Sequence, residues 1–475
     1  MRLSIDHIIN PSGIAYYILY ALLMGGLIGL LIIHGNPVFL FLAFFLSARF
    51  FLTGSSKNFL YVIIFSVFFA DWLNVLGIIP DTFTWLPDMI LVFLTFRVAG
   101  IIFKSRHFIR TRLDLPVILF LVWGFLSMLV NRGSPVGLFL SLRQLLKFGL
   151  YFYLLIHLNL EGSFYRKVIG LLIVLFFIQV PTALVKMVIY GQGEHAIGTY
   201  AYFGGGLSAI LPVIVMAVGL GFYFFKDSNP WYLAYIAFYQ LFYVACPKRM
   251  YPFFAIVIFF FLMREAGLAK WRKILPFAPV FVIVIAGLFY TSPELRSFFD
   301  NPRKIIQWST TYTYQKDDEV TSGRVAVVEL IFNTLKKNPR HLAFGFGPGT
   351  MTESFDSVEG KLRETFPIYY GWTEFATMSL EYGYVGVILF LWMVIRVFHV
   401  SREFLEEAAD PFWKSIAFGY RCTVLLFIMA FFYTSIFRLD LSSFLFWFGA
   451  VIIYTIDPKE KPVEAEFAEK PALSS

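Results

Sequence analysis

The stretch IAYYILYALLMGGLIGLLII, from Ile14 to Ile33, carries no charged side chain. A helix of roughly 18 or more such residues spans the about 30 Å of hydrocarbon in a bilayer. The stretch is too long for the core of a signal peptide and lacks a small-residue cleavage site, so we expect it to remain as the first spanning helix. Comparable apolar runs recur as far as Ile456. The sequence therefore predicts an integral membrane protein.

The composition agrees with this prediction. Hydrophobic residues make up 59% of the chain and charged residues only 15%, whereas soluble domains carry about 25% charged residues. The apolar runs, such as IVIFFFLM at Ile256–Met263, do not alternate in polarity, which excludes a transmembrane β-barrel. We predict an all-α, polytopic transmembrane helical bundle. Cys246 and Cys422 lie in or beside apolar runs, so we expect packing residues rather than a disulfide or a metal site.

Basic residues predict the topology. They cluster at Lys104–Arg112, Arg166–Lys167 and Lys270–Lys273 and around Arg402 and Lys414. Short cytoplasmic loops carry an excess of Lys and Arg, so these loops are expected in the cytoplasm. Counting spans between them gives about fourteen helices, or about twelve if weak hairpins near the N-terminus do not cross, with both termini in the cytoplasm.

This topology divides the chain into an N-terminal bundle (residues 1–290), a large loop on the outer face (291–371), C-terminal spanning helices (372–456) and a disordered cytoplasmic tail (457–475). Within the loop, Thr321–Lys337 has the periodicity of an amphipathic helix on the membrane surface, and Asn338–Pro339 ends it. The apolar residues that indicate this helix are Val325, Val328, Leu330, Ile331 and Leu335.

Several cations are expected at the outer face. Lys248 and Arg249 lie in ACPKRMYP (residues 245–252), a turn that the topology places outside, against the positive-inside rule. They either reach lipid phosphates or bind an anionic substrate group, because a guanidinium matches phosphate oxygens. Arg324 is either solvated or serves the same purpose. Arg143 is expected near the outer surface, in contact with substrate or lipid headgroups.

The order of motifs resembles the O-antigen ligase and O-antigen polymerase superfamily. Arg249 follows an apolar span, then come SGR at Ser322–Arg324, GFGPGT at Gly345–Thr350 and LEYGYVG at Leu380–Gly386. The match is densest from about Gly198 to Phe390. The glycines alone do not predict a nucleotide site, since no strand precedes and no helix follows them; they permit a close backbone approach.

The resemblance implies a metal-independent, inverting glycosyltransferase without a cofactor, in the bacterial inner membrane. Its donor would be an undecaprenyl-pyrophosphate-linked glycan, with Arg249 and Arg324 on the pyrophosphate. The expected function is polymerisation of lipid-linked repeat units into a surface polysaccharide, O-antigen or exopolysaccharide, at the outer face. Expected partners are that glycan, membrane lipids and other polysaccharide-assembly membrane proteins, with no nucleic acid.

One departure favours a polymerase over a ligase that transfers the glycan to a lipid or protein acceptor. Ligases of the superfamily carry a His-Asn pair where this chain has Trp372-Thr373. Glu374 is therefore predicted as the general base, because burial at a helix start would raise its pKa; alternatively it charges the first helical turn. His195, beside Glu194, is the second candidate.

Two alternatives stay open at this point. Tyr369, Tyr370 and Trp372 either stack on sugar rings or anchor the chain at the membrane interface. A transporter of lipid-linked oligosaccharides is the alternative from another class of protein. Such proteins hold charges in a central cavity, whereas here most spans have apolar middles. The net charge of +8 fits attraction to anionic lipids and to pyrophosphate.

Overall fold

The structure is a computed structural model that describes residues 56–79, 85–200, 205–248, 250–267, 272, 313–316, 319–322, 324–352, 362 and 372–459. These ranges are helical apart from one hairpin and short turns. The helices are α1 (Ser56–Val75), α2 (Leu86–Ser105), α3 (Asp114–Val130), α4 (Pro135–His157), α5 (Gly162–Tyr190), α6 (Gly205–Phe225), α7 (Trp231–Ala245), α8 (Tyr251–Ala266), α9 (Arg324–Leu335), α10 (Pro339–Phe344), α11 (Glu374–Glu407), α12 (Pro411–Ala430) and α13 (Asp440–Thr455). The hairpin pairs β1 (Thr313–Lys316) with β2 (Glu319–Ser322).

Among the described helices, seven are long and apolar enough to cross a membrane, by length and composition. They are α1, α2, α4, α5, α6, α11 and α12; α3 and α13 are shorter apolar helices. These helices fit the predicted multi-pass helical membrane protein. The predicted first span at Ile14–Ile33 lies outside the described residues, so the total number of spans stays a prediction.

The chain divides into two compact units. The first comprises Met1–Ile64 and Trp85–His107, and the second comprises Phe65–Thr84 and Phe108–Ser475. In the first unit, the Arg97 guanidinium lies 6.0 Å from the ring centroid of Phe59.

Helix α6 is the central helix of the second unit, because 94% of its most apolar stretch is buried. Small residues allow α12 to approach it closely, because a Cβ on Gly221 would lie 2.4 Å from the Ser415 carbonyl oxygen. A Cβ on Gly419 would likewise lie 2.7 Å from Val218 Cα. Close backbone contact of this kind is the usual means by which helices pack in lipid, where no hydrophobic force drives them together.

The helices give the second unit two distinguishable ends. At one end, ion pairs join Arg112 to Glu403 and Arg166 to Asp410; we call it the basic end. At the other end α9, α10 and the start of α11 meet the segment 431–439 that connects α12 to α13; we call it the loop end. The predicted cytoplasmic cations of this unit near Arg112, Arg166 and Arg402 belong to the basic end.

The structure corrects the predicted surface helix. Thr321 and Ser322 belong to β2, so the helix begins at Arg324 and not at Thr321. The helix ends at Leu335, before the predicted stop at Asn338–Pro339, and the Asn338 side chain instead caps α10 by accepting from the Arg340 N–H at 3.0 Å. Of the apolar residues that indicated the helix, Val325 and Leu330 are exposed, while the buried face packs on the start of α11. That buried face consists of Val327, Ile331 and Leu335.

Candidate functional site

Helix α11 is broken near its start, at the loop end. Gly383 has φ 68° and ψ 179°, which interrupts the helical hydrogen bonds. The turn after α10 fills the break: the N–H of Phe346 donates to the Leu380 carbonyl at 2.7 Å, and that of Gly347 donates to the Glu381 carbonyl at 3.2 Å. In an apolar bundle each freed carbonyl needs a partner, and this turn supplies two.

Side chains of α3 supply the remaining partners. Trp123 Nε1 donates to the Tyr382 carbonyl at 2.9 Å, and the indole stacks on the Phe344 ring with centroids 4.4 Å apart. The hydroxyl of Ser127 lies 2.5 Å from the Phe344 carbonyl oxygen and 3.3 Å from that of Glu381. The break in α11 is therefore a built feature, fixed by both the turn and a neighbouring helix.

Glycine is required where the turn meets the break. A Cβ on Gly383 would lie 2.1 Å from the Ala343 carbonyl oxygen, and one on Gly349 would lie 2.4 Å from Gly137 Cα. Gly345, Gly349 and Gly383 also have φ of 68°, 83° and 68°, a region that side chains disfavour. The predicted close approach of the glycine-rich segment to another element is confirmed.

Two buried carboxylates hold one guanidinium beside this break. Arg438 Nε donates to Glu374 Oε1 at 3.0 Å, and Nη2 donates to Glu381 Oε2 at 2.9 Å. Its Nη1 donates to Gln144 Oε1 at 3.0 Å and to Thr352 Oγ1 at 2.9 Å. Both glutamates are fully buried, and 11% of the Arg438 side chain is exposed. We call these five residues the Arg438 cluster.

The carboxylates of the cluster are engaged at every oxygen. Glu374 Oε2 accepts from the Phe437 N–H at 3.0 Å. Glu381 Oε2 accepts from the Ser141 hydroxyl at 2.6 Å, and Oε1 accepts from the Thr352 hydroxyl at 2.7 Å. Glu374 is therefore an anchor in this conformation, and it can accept a proton from a substrate only after Arg438 releases it. Its role as the general base stays a prediction.

The charges of the cluster do not cancel, since two carboxylates face one guanidinium. Burial opposes the charge of Arg438, but the carboxylates of Glu381 and Glu374 outweigh that effect and raise the pKa of the guanidinium above its ordinary value. Arg438 is thus a permanent cation. Such a pairing stabilises buried charges only when the geometry is good and the remaining polar atoms are satisfied, as they are here.

Arg324 lies on the other side of the same connecting segment. Its Nε donates to the Tyr433 carbonyl at 3.0 Å, and its guanidinium carbon lies 5.4 Å from the Tyr433 ring centroid. Glu374 meets the neighbouring residue, since its N–H donates to the Thr434 carbonyl at 3.2 Å. The structure thus brings Arg324 and Glu374 to one segment. Among the described residues, the terminal nitrogens of Arg324 have no hydrogen-bond partner.

Lys248 lies in a separate group of contacts at the loop end. Its ammonium pairs with the Glu194 carboxylate, and the Gly193 N–H donates to the Ala245 carbonyl at 3.2 Å. Nearby, the buried Lys186 donates to the Gly198 carbonyl. The contacts join the turn after α5 to the turn after α7. Arg249, predicted beside Lys248, lies outside the described residues.

The other predicted site residues are distributed around these two groups. His195 is half-buried in a short 3-10 turn next to Glu194, and Arg143 is half-buried on α4, one residue before Gln144. Trp372 packs against the apolar cluster that seats α9 on α11, and its role in sugar stacking or interface anchoring stays a prediction. Tyr369 and Tyr370 lie outside the described residues.

Sequence reasoning missed Arg438, although a signal was present. Arg438 lies in FFYTSIFRLD, residues 431–440, a short connection on the predicted outer face. It violates the positive-inside rule in the same way as Arg249. Within the described ranges no group of three or more His, Cys, Asp or Glu side chains is arranged to hold a metal ion.

Comparison with known proteins adds no family assignment. No protein-family model matches the chain, and no curated protein matches it. Function must therefore be argued from the arrangement of the residues at the loop end.

Proposed function

We propose that this chain is a membrane glycosyltransferase of the polymerase type, which joins undecaprenyl-pyrophosphate-linked repeat units at the outer face of the bacterial inner membrane. The observation that carries the proposal is the set of contacts that the Arg324 guanidinium makes. Tyr433 holds the guanidinium through Nε and the ring face, and among the described residues both terminal nitrogens are left for a ligand. A planar pair of N–H donors of this kind suits phosphate oxygens.

The Arg438 cluster supports this role by fixing the connecting segment. Arg438 bonds to Gln144 on α4 and to Glu374 on α11, and Glu374 also accepts from the Phe437 N–H. Tyr433 in the same segment orients Arg324. A cation that is already in place stabilises the charge on a departing pyrophosphate without reorganising during the reaction. The support is therefore electrostatic preorganisation, with Arg324 as the group that contacts substrate.

The proposed step is a single displacement. The acceptor sugar hydroxyl attacks the anomeric carbon of the donor, the bond from that carbon to the pyrophosphate oxygen breaks, and the lipid pyrophosphate leaves with the electron pair. The hydroxyl proton passes to a base, for which Glu374 is the predicted residue once freed from Arg438. The pyrophosphate charge is held by Arg324 and, as the sequence predicts, by Arg249.

The two ends of the bundle support the proposed orientation. The basic end carries cations predicted for cytoplasmic loops, which favours a loop end that faces outward; the position of both termini in the cytoplasm is part of the proposal. The finer topology, with about fourteen spans and a large loop at 291–371, belongs to this proposal.

The break in α11 is an observation that would favour a transporter, because discontinuous helices often form transport sites at the bilayer midplane. Those sites use carbonyls left free by the break. Here the carbonyls of Leu380, Glu381 and Tyr382 are already bonded to the turn after α10 and to α3. The break therefore serves packing, and we favour transfer over transport.

Complementation tests the proposal. A strain that lacks the gene receives wild type, Arg324→Ala or the control Arg340→Ala, an exposed arginine of the same loop; lipid-linked and surface glycans are compared on gels at matched protein levels. We expect single lipid-linked repeat units to accumulate with Arg324→Ala and normal polymer with the control. Full-length polymer stranded on its lipid would indicate a ligase instead, and unaltered glycans in the empty strain would refute glycan transfer.

A further inference from the structure

An apolar cavity of about 310 Å³ lies between α5, α6, α7, α12 and α13, remote from the Arg438 cluster. Its walls include Ile169 near the start of α5, Phe222 near the end of α6 and Ile452 near the end of α13. These positions place the cavity in the half of the bundle next to the basic end. Among the residues that line it, Trp231 on α7 is exposed and Ile173 on α5 is half-buried.

Three hydroxyl groups in the cavity wall already donate to backbone carbonyls of the protein. Tyr235 OH donates to the Ile173 carbonyl at 3.0 Å, Tyr420 OH to the Phe446 carbonyl at 2.7 Å, and Thr423 Oγ1 to the Gly419 carbonyl at 2.9 Å. Polar groups in the wall are thus turned to the protein. A cavity of this chemistry excludes water and accepts hydrocarbon.

Two lysines lie near the part of the cavity that is next to the basic end. Lys226 Nζ lies 5.8 Å from the ring centroid of Phe222, which lines the cavity, and Lys414 Nζ lies 5.9 Å from that of Phe225. Within the described residues neither ammonium has a carboxylate partner. The anionic groups nearby are engaged elsewhere.

The carboxylates of Asp410 and Asp227 already have partners. Arg166 pairs with Asp410, and Asp227 accepts from the Asn229 N–H at 3.1 Å and from Tyr232 OH at 3.4 Å. Within the part of the chain that the structure describes, the two lysines are therefore left for a negatively charged headgroup. Lysines and arginines beside interhelical pockets on the cytoplasmic side are a known means of binding anionic lipids.

We propose that this cavity is a binding site for an anionic glycerophospholipid. One acyl chain enters between α5 and α7, and the headgroup phosphate lies against Lys226 and Lys414. The site is separate from the glycan-transfer site and does not depend on the proposed function. It would make the packing of α6 against α7 and α12 sensitive to the lipid composition of the membrane.

The first test measures retained lipid. Wild type, Ile173→Trp and the neighbouring lipid-facing control Val174→Trp are purified in mild detergent, washed, and analysed by native mass spectrometry. We expect wild type and Val174→Trp to retain phosphatidylglycerol, and Ile173→Trp to retain at least about tenfold less, the factor that corresponds to exclusion of about two methylene groups. Equal retention by all three proteins, or none by wild type, would overturn the proposal.

The second test measures charge selectivity and needs no variant of the cavity wall. In nanodiscs with equal phosphatidylglycerol and phosphatidylcholine, each carrying a photoreactive acyl chain, we expect crosslinks to wild type in the peptide Ile416–Thr423 mainly from phosphatidylglycerol. Lys226→Gln with Lys414→Gln should remove this preference, whereas Lys167→Gln, an exposed lysine at the same end, should keep it. Equal labelling of wild type by both lipids would contradict the headgroup assignment.

Discussion

Removal of the Arg438 guanidinium is the sharpest perturbation that the structure offers. Arg438→Met keeps an unbranched, apolar stem in place of the arginine stem but deletes four hydrogen bonds and leaves the carboxylates of Glu374 and Glu381 buried without a counter-ion. Breaking one buried ion pair costs about 3–5 kcal/mol of unfolding free energy. Because two fully buried carboxylates lose their partner here, we expect a loss at or above the upper end of that range.

The measurement is reversible unfolding in mixed micelles by titration with sodium dodecyl sulfate, followed by tryptophan fluorescence. The matched control is Arg402→Met, because the Arg402–Glu406 pair has 60% of each side chain exposed. An exposed pair of this spacing contributes about 0.3–0.5 kcal/mol. Similar losses for the two variants would contradict the buried-charge argument.

A triple variant separates charge from shape. Arg438→Met combined with Glu374→Gln and Glu381→Gln retains acceptors for the Phe437 N–H and the Ser141 hydroxyl but leaves no buried charge. We expect it to recover at least about 2 kcal/mol relative to Arg438→Met alone, since an unpaired buried charge costs more than an unpaired amide. A triple variant less stable than the single variant would refute this reasoning.

Three further predictions use the same loop end. Gly383→Ala should cost about 1–3 kcal/mol in the same titration because of its positive φ and the adjacent Ala343 carbonyl, whereas Gly170→Ala, with no atom within 4 Å of its added Cβ, should not destabilise. Tyr433→Leu keeps the backbone carbonyl but removes the ring beneath Arg324, so polymer synthesis should fall about two- to fivefold without loss of folding. Burial and the charge of Arg340 lower the pKa of His341, so the folded state favours the neutral imidazole. Hydrogen exchange of α10, corrected for intrinsic rates, should therefore be slowest above about pH 6.5 and become faster as the pH falls below that value. His341→Gln should abolish this pH dependence.

The sequence was sufficient for the parts of the fold that depend on local composition. Long apolar runs predicted spanning helices, and the glycines at Gly345–Gly349 predicted a close backbone contact, because glycine alone tolerates both the positive φ and the missing space. The helix start at Thr321 was wrong because pairing with β1 takes Thr321 and Ser322 into a strand. Periodicity did not distinguish the face that packs on α11 from the face left exposed.

The Arg438 cluster was beyond local reasoning. Arg438 meets Glu381 across 57 residues and Glu374 across 64, and Ser141 meets Glu381 across 240. No period or motif encodes such pairings, which depend on how the helices register against one another. The positive-inside rule marked Arg438 as unusual but gave no partner for it.

The Arg438 cluster also fixes the register of the helices against one another. Apolar helices in lipid slide and rotate at small cost because their surfaces resemble the solvent, whereas a guanidinium with four directed bonds has one satisfactory position. Arg438 therefore holds α4, the start of α11 and the connecting segment in one register. Tyr433, which lies in that segment, then positions the Arg324 guanidinium. It follows that the triple variant should be more stable than Arg438→Met yet poor in glycan transfer, because it removes the unpaired buried charges while Arg324 still needs the segment held. Normal polymer from cells with a stable triple variant would show that Arg324 is positioned without Arg438.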